Sequence, residues 1–133
     1  MIGVLGGTFD RCISVILRTA LEVAEGCGMD EVRLIPGKTP PHRPQPQASA
    51  EQRWEMVQLA IAGEPRFVAD RRELGVTGPH FTIDTLQSLR AELGPQRALA
   101  FIMGMDAFLS FRGWHRWQDI MHTAHLVVMP SRL

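Results

Sequence analysis

Two glycine-rich turns, each placed directly after a short apolar run, are the first candidates for chemistry in this sequence. They are Gly6-Gly7-Thr8 and Gly104-Met105-Asp106. Glycine lets backbone N–H groups come close to phosphate oxygens, and the Thr8 hydroxyl adds a further donor. The Asp106 carboxylate is suited to accept hydrogen bonds from ribose hydroxyls. Each turn also has a purely structural explanation, as a plain strand-to-helix turn or as a helix cap.

A basic pair follows in a proline-rich loop. His42 and Arg43 place an imidazole and a guanidinium side by side within residues 38–47. Arg43 could bind a phosphate through two parallel hydrogen bonds, and His42 could add a third. The prolines exclude a helix or a central strand and stiffen the segment. The alternative is a solvated loop whose charges have no ligand.

Two indoles form a third candidate. The segment Trp114 to Trp117 reads Trp-His-Arg-Trp, and we expect it to open a helix that extends to Met121. Trp114, directly after Gly113, is the better platform for stacking on a flat ring, whereas Trp117 is better explained by core packing. The histidines of the second half of the chain fit no compact metal-ligand spacing, so no metal site built by protein groups is expected.

The elements that must position these residues alternate between strand-like and helix-like patterns. Predicted strands cover residues 2–5, 31–35, 66–69, 98–103 and 125–129. Predicted helices cover residues 17–27, 49–62 and 82–93, followed by two short helical pieces near residues 107 and 114–121. This alternation predicts an α/β fold, a parallel sheet flanked by helices. Ligands bind beyond the carboxyl ends of the strands in such sheets, which is where both glycine turns fall.

Composition narrows the function classes. Lys+Arg and Asp+Glu are 14 each, so the net charge is zero and a nucleic-acid partner is not expected. Cys12 and Cys27 have no C-x-x-C spacing, which favours a reduced, cytoplasmic chain. No apolar run approaches the roughly 20 residues of a membrane span, and the N-terminus does not have the pattern of a signal peptide.

Together these motifs resemble bacterial nicotinate-nucleotide adenylyltransferase, of the nucleotidyltransferase superfamily. The matching stretches are "GGTFD", "RLIPGKTPPHRPQP", "FTIDTL", "FIMGMDAFLSFRGWHRW" and "AHLVVM", in the order of the family. The resemblance implies a single Rossmann-like domain over residues 1–133. It also implies adenylyl transfer from ATP, with Mg²⁺, to nicotinate mononucleotide, which gives nicotinate adenine dinucleotide and pyrophosphate in NAD biosynthesis.

The resemblance also implies roles for individual residues. The residues implied to bind ATP are Gly6, Gly7, Thr8, Phe9, Asp10, Gly104 and Asp106. The residues implied to bind nicotinate mononucleotide are His42 and Arg43 at its phosphate, and Thr82 and Trp114 at its nicotinate ring. No covalent enzyme intermediate is implied, so catalysis would consist of positioning and charge stabilisation.

Two departures from the family pattern lower the expected activity. After "GGTFD" the family continues as Pro-x-His-x-Gly-His, with both histidines on the ATP phosphates, whereas this chain has Ile13 and Ile16 at those places. Isoleucine donates no hydrogen bond, so no catalytic residue is retained and we expect a poor catalyst. The chain also stops at Leu133, so the resemblance implies that the C-terminal part of the fold, with an Ile-Ser-Ser-Thr-x-x-Arg-like ATP motif, is missing.

A shifted reading frame would explain the first departure. One set of codons that specifies the stretch from Asp10 to Leu17 is GAC CGG TGC ATC TCG GTC ATC TTG. Read from the last base of the Asp10 codon, they spell Pro-Val-His-Leu-Gly-His-Leu, the family motif. We therefore hypothesise one lost and one gained base, in the gene or in its determined sequence. Codons in the coding DNA that are incompatible with the shifted reading would refute this.

Two alternatives stay open at this point. Ile13 and Ile16 favour a nucleotide-binding remnant, or pseudoenzyme, of the same family. A sister nucleotidyltransferase, such as phosphopantetheine adenylyltransferase, is the other, although the Trp114 segment and "PPHR" argue against it. The oligomeric state and the preference between nicotinate and nicotinamide mononucleotide are not indicated by the sequence.

Overall fold

The structure is a five-stranded sheet with helices between the strands. The computed structural model describes residues 1–7, 9, 13–37, 49–74 and 80–130. The strands are β1 (Ile2–Gly7), β2 (Glu31–Pro36), β3 (Phe67–Ala69), β4 (Leu99–Gly104) and β5 (His125–Met129). The helices are α1 (Ile13–Cys27), α2 (Ala50–Ile61), α3 (Thr82–Leu93), α4 (Met105–Leu109) and α5 (Trp117–Thr123), with a 3₁₀ turn at Phe111–Gly113.

All strand pairs of this sheet are parallel, and their order is β3-β2-β1-β4-β5. The chain therefore moves outward from β1 through β2 to β3, then returns to place β4 on the other side of β1. The carboxyl ends of β1 and β4 are neighbours at this reversal, which is the topological switch point of the sheet. The predicted α/β fold with a helix-flanked parallel sheet is confirmed.

Alternating strand residues form a separate apolar core on each face of the sheet, as the period of two in a strand requires. One core joins strand residues to α1 and α2, and it includes Leu5, Val32, Leu34, Ala100, Ile102, Leu17, Ala20, Ala24, Val57 and Ile61. The other joins strand residues to α3 and α5, and it includes Ile2, Val4, Ile35, Leu99, Phe101, Met103, Ile83, Leu86, Leu89 and Ile120. Among the described residues, no helix is long and apolar enough to cross a membrane.

The predicted element bounds need two corrections. Helix α1 begins at Ile13, four residues before the predicted start, because no glycine or proline interrupts residues 13–16. The helix predicted from Trp114 begins instead at Trp117. Arg116 has a left-handed backbone, with φ 53°, and so separates the two indoles into a turn and a helix.

The N-terminal cap predicted for α2 is confirmed. The Ser49 Oγ accepts a hydrogen bond from the Gln52 amide at 3.1 Å, and the Gln52 Oε1 accepts one from the Ser49 amide at 2.9 Å. This reciprocal pair satisfies two of the backbone donors that an uncapped helix leaves unpaired. It fixes the point at which the chain enters α2.

Candidate active site

The two glycine turns predicted from the sequence lie side by side at the switch point. Gly7 ends β1 and Gly104 ends β4, and these strands are paired in register from Ile2 with Leu99 to Leu5 with Ile102. Gly104 also serves as the N-terminal cap residue of α4. Asp106 is exposed in the first turn of that helix, where its charge is favourable.

The protein itself does not require glycine at these positions. A Cβ built on Gly6 would lie 3.8 Å from the Ile35 carbonyl oxygen, and one on Gly7 would lie 3.7 Å from the Phe9 ring, both ordinary contacts. A Cβ on Gly104 would meet none of the described atoms within 4 Å. Glycine in a strand costs stability, and it is typical of places where a ligand approaches the backbone closely.

A small cleft of about 210 Å³ opens beside these turns. Its lining residues come from α1, from the junction of β4 with α4 and from the end of β5, and they are Val15, Ile16, Thr19, Gly104, Met105, Asp106, Met129 and Pro130. Ile16 therefore places a branched hydrocarbon in the cleft where the family resemblance implies an imidazole. The cleft has a carboxylate and backbone groups, but Ile16 adds no hydrogen-bond donor to it.

Phe9 is positioned by packing. Its ring is 4% exposed in the core beneath α1, and its backbone is left-handed, with φ 53°. A left-handed non-glycine residue costs free energy, and such residues cluster at ligand-binding loops. The other residues predicted for phosphate binding, Thr8, Asp10, His42 and Arg43, lie outside the described residues.

The two elements predicted to hold a nicotinate ring meet through an aromatic stack that sequence reasoning missed. The Phe81 ring lies on the His115 ring, with centroids 4.1 Å apart and an interplanar angle of 28°. Phe81 immediately precedes Thr82, and His115 immediately follows Trp114. The structure therefore brings the start of α3 to the Trp114 turn. The only sequence signal was an aromatic residue next to each predicted ligand residue.

Trp114 is half-buried and held by aromatic contacts. Its ring centroid is 5.4 Å from that of Phe111 and 5.9 Å from that of Phe101, in edge-to-face arrangements. Trp117 makes a similar contact with Phe111 at 6.0 Å. Both indoles pack against the same core. Burial therefore does not distinguish a stacking Trp114 from a core Trp117 in the way that the sequence predicted. What distinguishes Trp114 is its place beside the Phe81–His115 stack.

Gly37 joins the end of β2 to the first glycine turn. Its amide donates a hydrogen bond to the Gly7 carbonyl at 2.9 Å, and its carbonyl accepts one from the buried Arg53 guanidinium at 2.9 Å. A Cβ at Gly37 would lie 2.8 Å from the Glu73 Oε1. A side chain at residue 37 would therefore require the Glu73 carboxyl to shift.

Glu73 is a partly buried acid that sequence reasoning also missed. Its Oε2 accepts a hydrogen bond from the Thr85 hydroxyl at 2.6 Å, and the Thr85 Oγ1 lies 2.7 Å from the His80 Nε2. Burial raises the pKa of the Glu73 carboxyl above its usual value, against the opposing effects of Thr85 and His80. The residue lies in the turn after β3, away from any recognisable motif.

A larger apolar groove of about 790 Å³ lies on the far side of α4 and α5. Its lining residues are Phe108, Leu109, Ser110, Phe111, Arg112, Gly113, Trp117, Gln118, Met121, His122 and Leu126. Of the predicted ligand residues that the structure describes, none lines it. The chemistry is therefore expected at the switch point and not at this groove.

Comparison with known proteins identifies the family. A family model described as cytidylyltransferase-like matches residues 4–132. The chain belongs to the cytidylyltransferase-like family. This match spans β1 to β5, so it includes every element that contributes to the switch point.

Curated relatives in this family carry the provisional name nicotinate-nucleotide adenylyltransferase. One from Yersinia enterocolitica is 50% identical over 123 residues, which cover 92% of this chain and 56% of the relative. One from Aeromonas hydrophila is 53% identical over 127 residues, which cover 96% of this chain and 59% of the relative. The chain thus spans somewhat more than half the length of these relatives.

Solved structures of the cytidylyltransferase-like fold superpose on the whole chain. A Vibrio parahaemolyticus protein, provisionally named nicotinate-nucleotide adenylyltransferase, has a TM-score of 0.77 at 19% identity, over 99% of this chain and 74% of that chain. A Plasmodium falciparum nicotinic acid mononucleotide adenylyltransferase complexed with NaAD has a TM-score of 0.70 at 13% identity, over 99% and 75%. At these identities the likeness confirms the Rossmann-like fold.

Proposed function

We propose that this chain is the nucleotide-binding part of an enzyme that transfers the adenylyl group of ATP to nicotinate mononucleotide. The products are nicotinate adenine dinucleotide and pyrophosphate. The observation that carries the proposal is the meeting of the β1 and β4 glycine turns at the switch point, beside the turn that bears Trp114. The names of the relatives suggest the acceptor, and the proximity of these turns supports one site for both substrates.

In this proposal ATP lies across the switch point. The backbone of Gly6 and Gly7 approaches its phosphates, and Asp106 accepts from its ribose hydroxyls across the cleft that it shares with Gly104. Backbone amides are preorganised donors for the charge that develops at the α-phosphate during transfer. Thr8 and Asp10 complete this side by the resemblance.

Nicotinate mononucleotide lies on the other side of the site. The Trp114 indole, fixed by Phe101 and Phe111, stacks on the nicotinate ring, and Thr82 at the start of α3 holds its edge. His42 and Arg43 bind its phosphate by the resemblance. An oxygen of that phosphate attacks the α-phosphorus of ATP as the bond to pyrophosphate breaks, so the protein supplies orientation and not a nucleophile.

Mg²⁺ enters as the complex with ATP. Among the described residues, no group of three or more His, Cys, Asp or Glu side chains could hold a metal ion, so no described residue is assigned to it. When bound to the phosphates, Mg²⁺ neutralises charge on the leaving pyrophosphate.

The cytoplasm is the proposed location, because both cysteines lack a disulfide-forming pattern.

A second candidate is a remnant that binds nucleotide without turnover. Ile16 favours it, because this side chain lines the cleft without a hydrogen-bond donor. A pyrophosphate-release assay with ATP and nicotinate mononucleotide separates the two, beside calorimetric titrations of each ligand. Turnover supports the enzyme and refutes the remnant, whereas binding of both ligands without turnover supports the remnant.

The acceptor is tested by substitution in the same assay. Nicotinamide mononucleotide and 4′-phosphopantetheine each replace nicotinate mononucleotide at equal concentration. The proposal expects the tightest binding for nicotinate mononucleotide. Tighter binding of 4′-phosphopantetheine would instead favour the sister nucleotidyltransferase.

A further inference from the structure

Glu73 is an acid for which the proposed reaction has no use, yet it bridges two elements of the site. Its Oε2 accepts the Thr85 hydroxyl on α3 at 2.6 Å. Its Oε1 lies against Gly37, at 2.8 Å from the position a Cβ would take there. One carboxyl thus spans the gap between the end of β2 and the first turns of α3.

The hydrogen bonds around Glu73 have a defined direction. The Thr85 hydroxyl has one hydrogen, and the 2.6 Å contact uses it on Glu73. The Thr85 oxygen must therefore accept from His80, whose Nε2 lies 2.7 Å away, so Nε2 carries the hydrogen. These hydrogen bonds connect His80, the residue before Phe81, through Thr85 to Glu73, whose carboxyl lies against Gly37 after β2.

The turn that carries Glu73 makes a second contact with α3 through the neighbouring residue, Arg72. The Arg72 guanidinium donates to the Ser88 Oγ and to the Glu92 Oε1, each at 2.9 Å. This outer contact would hold the turn against α3 without Glu73. A buried acid is therefore not needed for attachment alone, and an apolar side chain would fill the space at lower cost.

We propose that Glu73 is a positioning residue for the nicotinate mononucleotide side of the site. By holding Thr85 and lying against Gly37, it sets the separation between the start of α3, which bears Thr82, and the end of β2. This inference rests on the proposed function. Glu73 touches neither substrate in it, and acts through the elements that do.

Variants at both ends of the hydrogen bond test this. Glu73→Gln keeps the shape and an oxygen acceptor, whereas Glu73→Leu removes the acceptor. Thr85→Ser keeps the hydroxyl and Thr85→Val removes it. Glu55→Leu, at an exposed position of α2, is the matched control for loss of a carboxylate. Ile61→Val, in the core on the opposite face, is the control for general destabilisation.

Two readouts are measured on the full chain. Calorimetry gives the affinities for nicotinate mononucleotide and for ATP, and amide hydrogen exchange without ligand reports on Gly37 and on the first turn of α3. We expect Glu73→Leu and Thr85→Val to lower the affinity for nicotinate mononucleotide about tenfold, as for loss of one charge-assisted hydrogen bond. We expect less than about a twofold change for ATP, faster exchange at both places, and near-normal values for Glu73→Gln and Thr85→Ser.

Each contrary result is informative. An unchanged affinity of Glu73→Leu for nicotinate mononucleotide would overturn the positioning role. So would a loss of affinity that is equal for nicotinate mononucleotide and ATP in Glu73→Leu and that is also seen in Ile61→Val. If the unchanged chain binds no nicotinate mononucleotide, the proposed function fails. Exchange then still decides the structural claim, because unchanged protection of Gly37 and of α3 in Glu73→Leu would overturn it independently.

Discussion

Ile16 is the described residue at which the proposed chemistry depends most on a single side chain. It lines the same cleft as Gly104 and Asp106, so its position is suited to meet a nucleotide. Transfer at phosphorus needs donors aimed at the charge that develops, and a hydrocarbon offers none. Under the proposed function, the backbone at the switch point would bind the nucleotide, and Ile16 would limit the rate of transfer.

Restoring the two imidazoles should restore catalysis. We expect the double variant Ile13→His, Ile16→His to raise the rate of pyrophosphate release from ATP and nicotinate mononucleotide by about 10² to 10³, since loss of one preorganised donor costs that much. The measurement is initial rate at saturating substrates. Ile16→Leu, which changes shape without adding a donor, is the control, and an equal rise there would refute the explanation.

At the scale of elements, α2 holds two parts of the site in place. Its N-terminal cap at Ser49 fixes where the helix begins, and its buried Arg53 donates to the Gly37 carbonyl at the end of β2. The two contacts lie at Gly37 and Ser49, the described residues on either side of the segment 38–48, in which His42 and Arg43 are predicted to bind phosphate. Stability of α2 and geometry of the site are therefore linked.

The cap can be tested by small substitutions. Ser49→Ala removes the acceptor for the Gln52 amide and should lower the free energy of unfolding by about 1 kcal/mol. Ser49→Gly should cost only a few tenths of that, because water reaches the freed amide more easily. Urea unfolding followed by circular dichroism measures both. An unchanged free energy of unfolding in Ser49→Ala would show that the side-chain hydrogen bond does not stabilise the fold.

Arg53 makes a stronger prediction. It is 4% exposed, and its guanidinium donates to the Gly37 carbonyl at 2.9 Å. Arg53→Met should lower the free energy of unfolding by about 1.5–3 kcal/mol, the range for a hydrogen bond from a charged group. Arg18→Met on the exposed face of α1 is the control. A loss no larger than that of the control would contradict the role of the buried contact.

Across the whole molecule, an ion network joins the outer sheet edge to α3. Arg33 on β2 bonds Glu31, Asp70 and Glu92, and Arg72 bonds Asp70 as well. Burial alone would raise the pKa of Asp70, but the hydrogen bonds and charge of Arg72, together with Arg33, outweigh it and lower that pKa. The ionised carboxylate therefore stabilises the fold.

The sign of the resulting pH dependence follows from this shift. Since the pKa of Asp70 is lower in the folded chain, its contribution is fully present above its ordinary pKa of 3.8 and is lost as pH falls through the folded value. Asp70→Asn should lower stability by about 1 kcal/mol at neutral pH, and the two curves should converge in acid. Urea unfolding against pH measures this, and a constant gap at all pH values would refute it.

Glu73 should show the opposite dependence. Burial raises its pKa in the folded chain, so its contribution is fully present below its ordinary value of 4.5 and is lost as pH rises through the folded value. Glu73→Gln, which stays neutral, should therefore gain stability relative to the unchanged chain towards neutral pH. The melting temperature Tm across this range measures it, with Glu55→Gln as the exposed control.

Local features were determined by the sequence alone. The strand and helix pattern, the Ser49 cap and the glycine turns at strand ends follow from periodicity and residue type, which act between near neighbours along the chain. The resemblance to nicotinate-nucleotide adenylyltransferase was also recognisable from ordered motifs, and the family match agrees with it. The predicted start of the helix at Trp114 was wrong because Arg116 has a left-handed backbone conformation. No local sequence pattern indicates this conformation.

The tertiary structure alone decided which of these features meet. Strand order places β4 beside β1, so that the strand ends that carry Gly104 and Gly7 are neighbours, and the local sequence pattern does not indicate this order. The Phe81–His115 stack and the Glu73 contacts join segments far apart in the sequence. Such contacts depend on how the helices pack on the sheet and on how the side chains are then oriented. They are selected by the free energy of folding of the whole molecule and not by the preferences of any one segment.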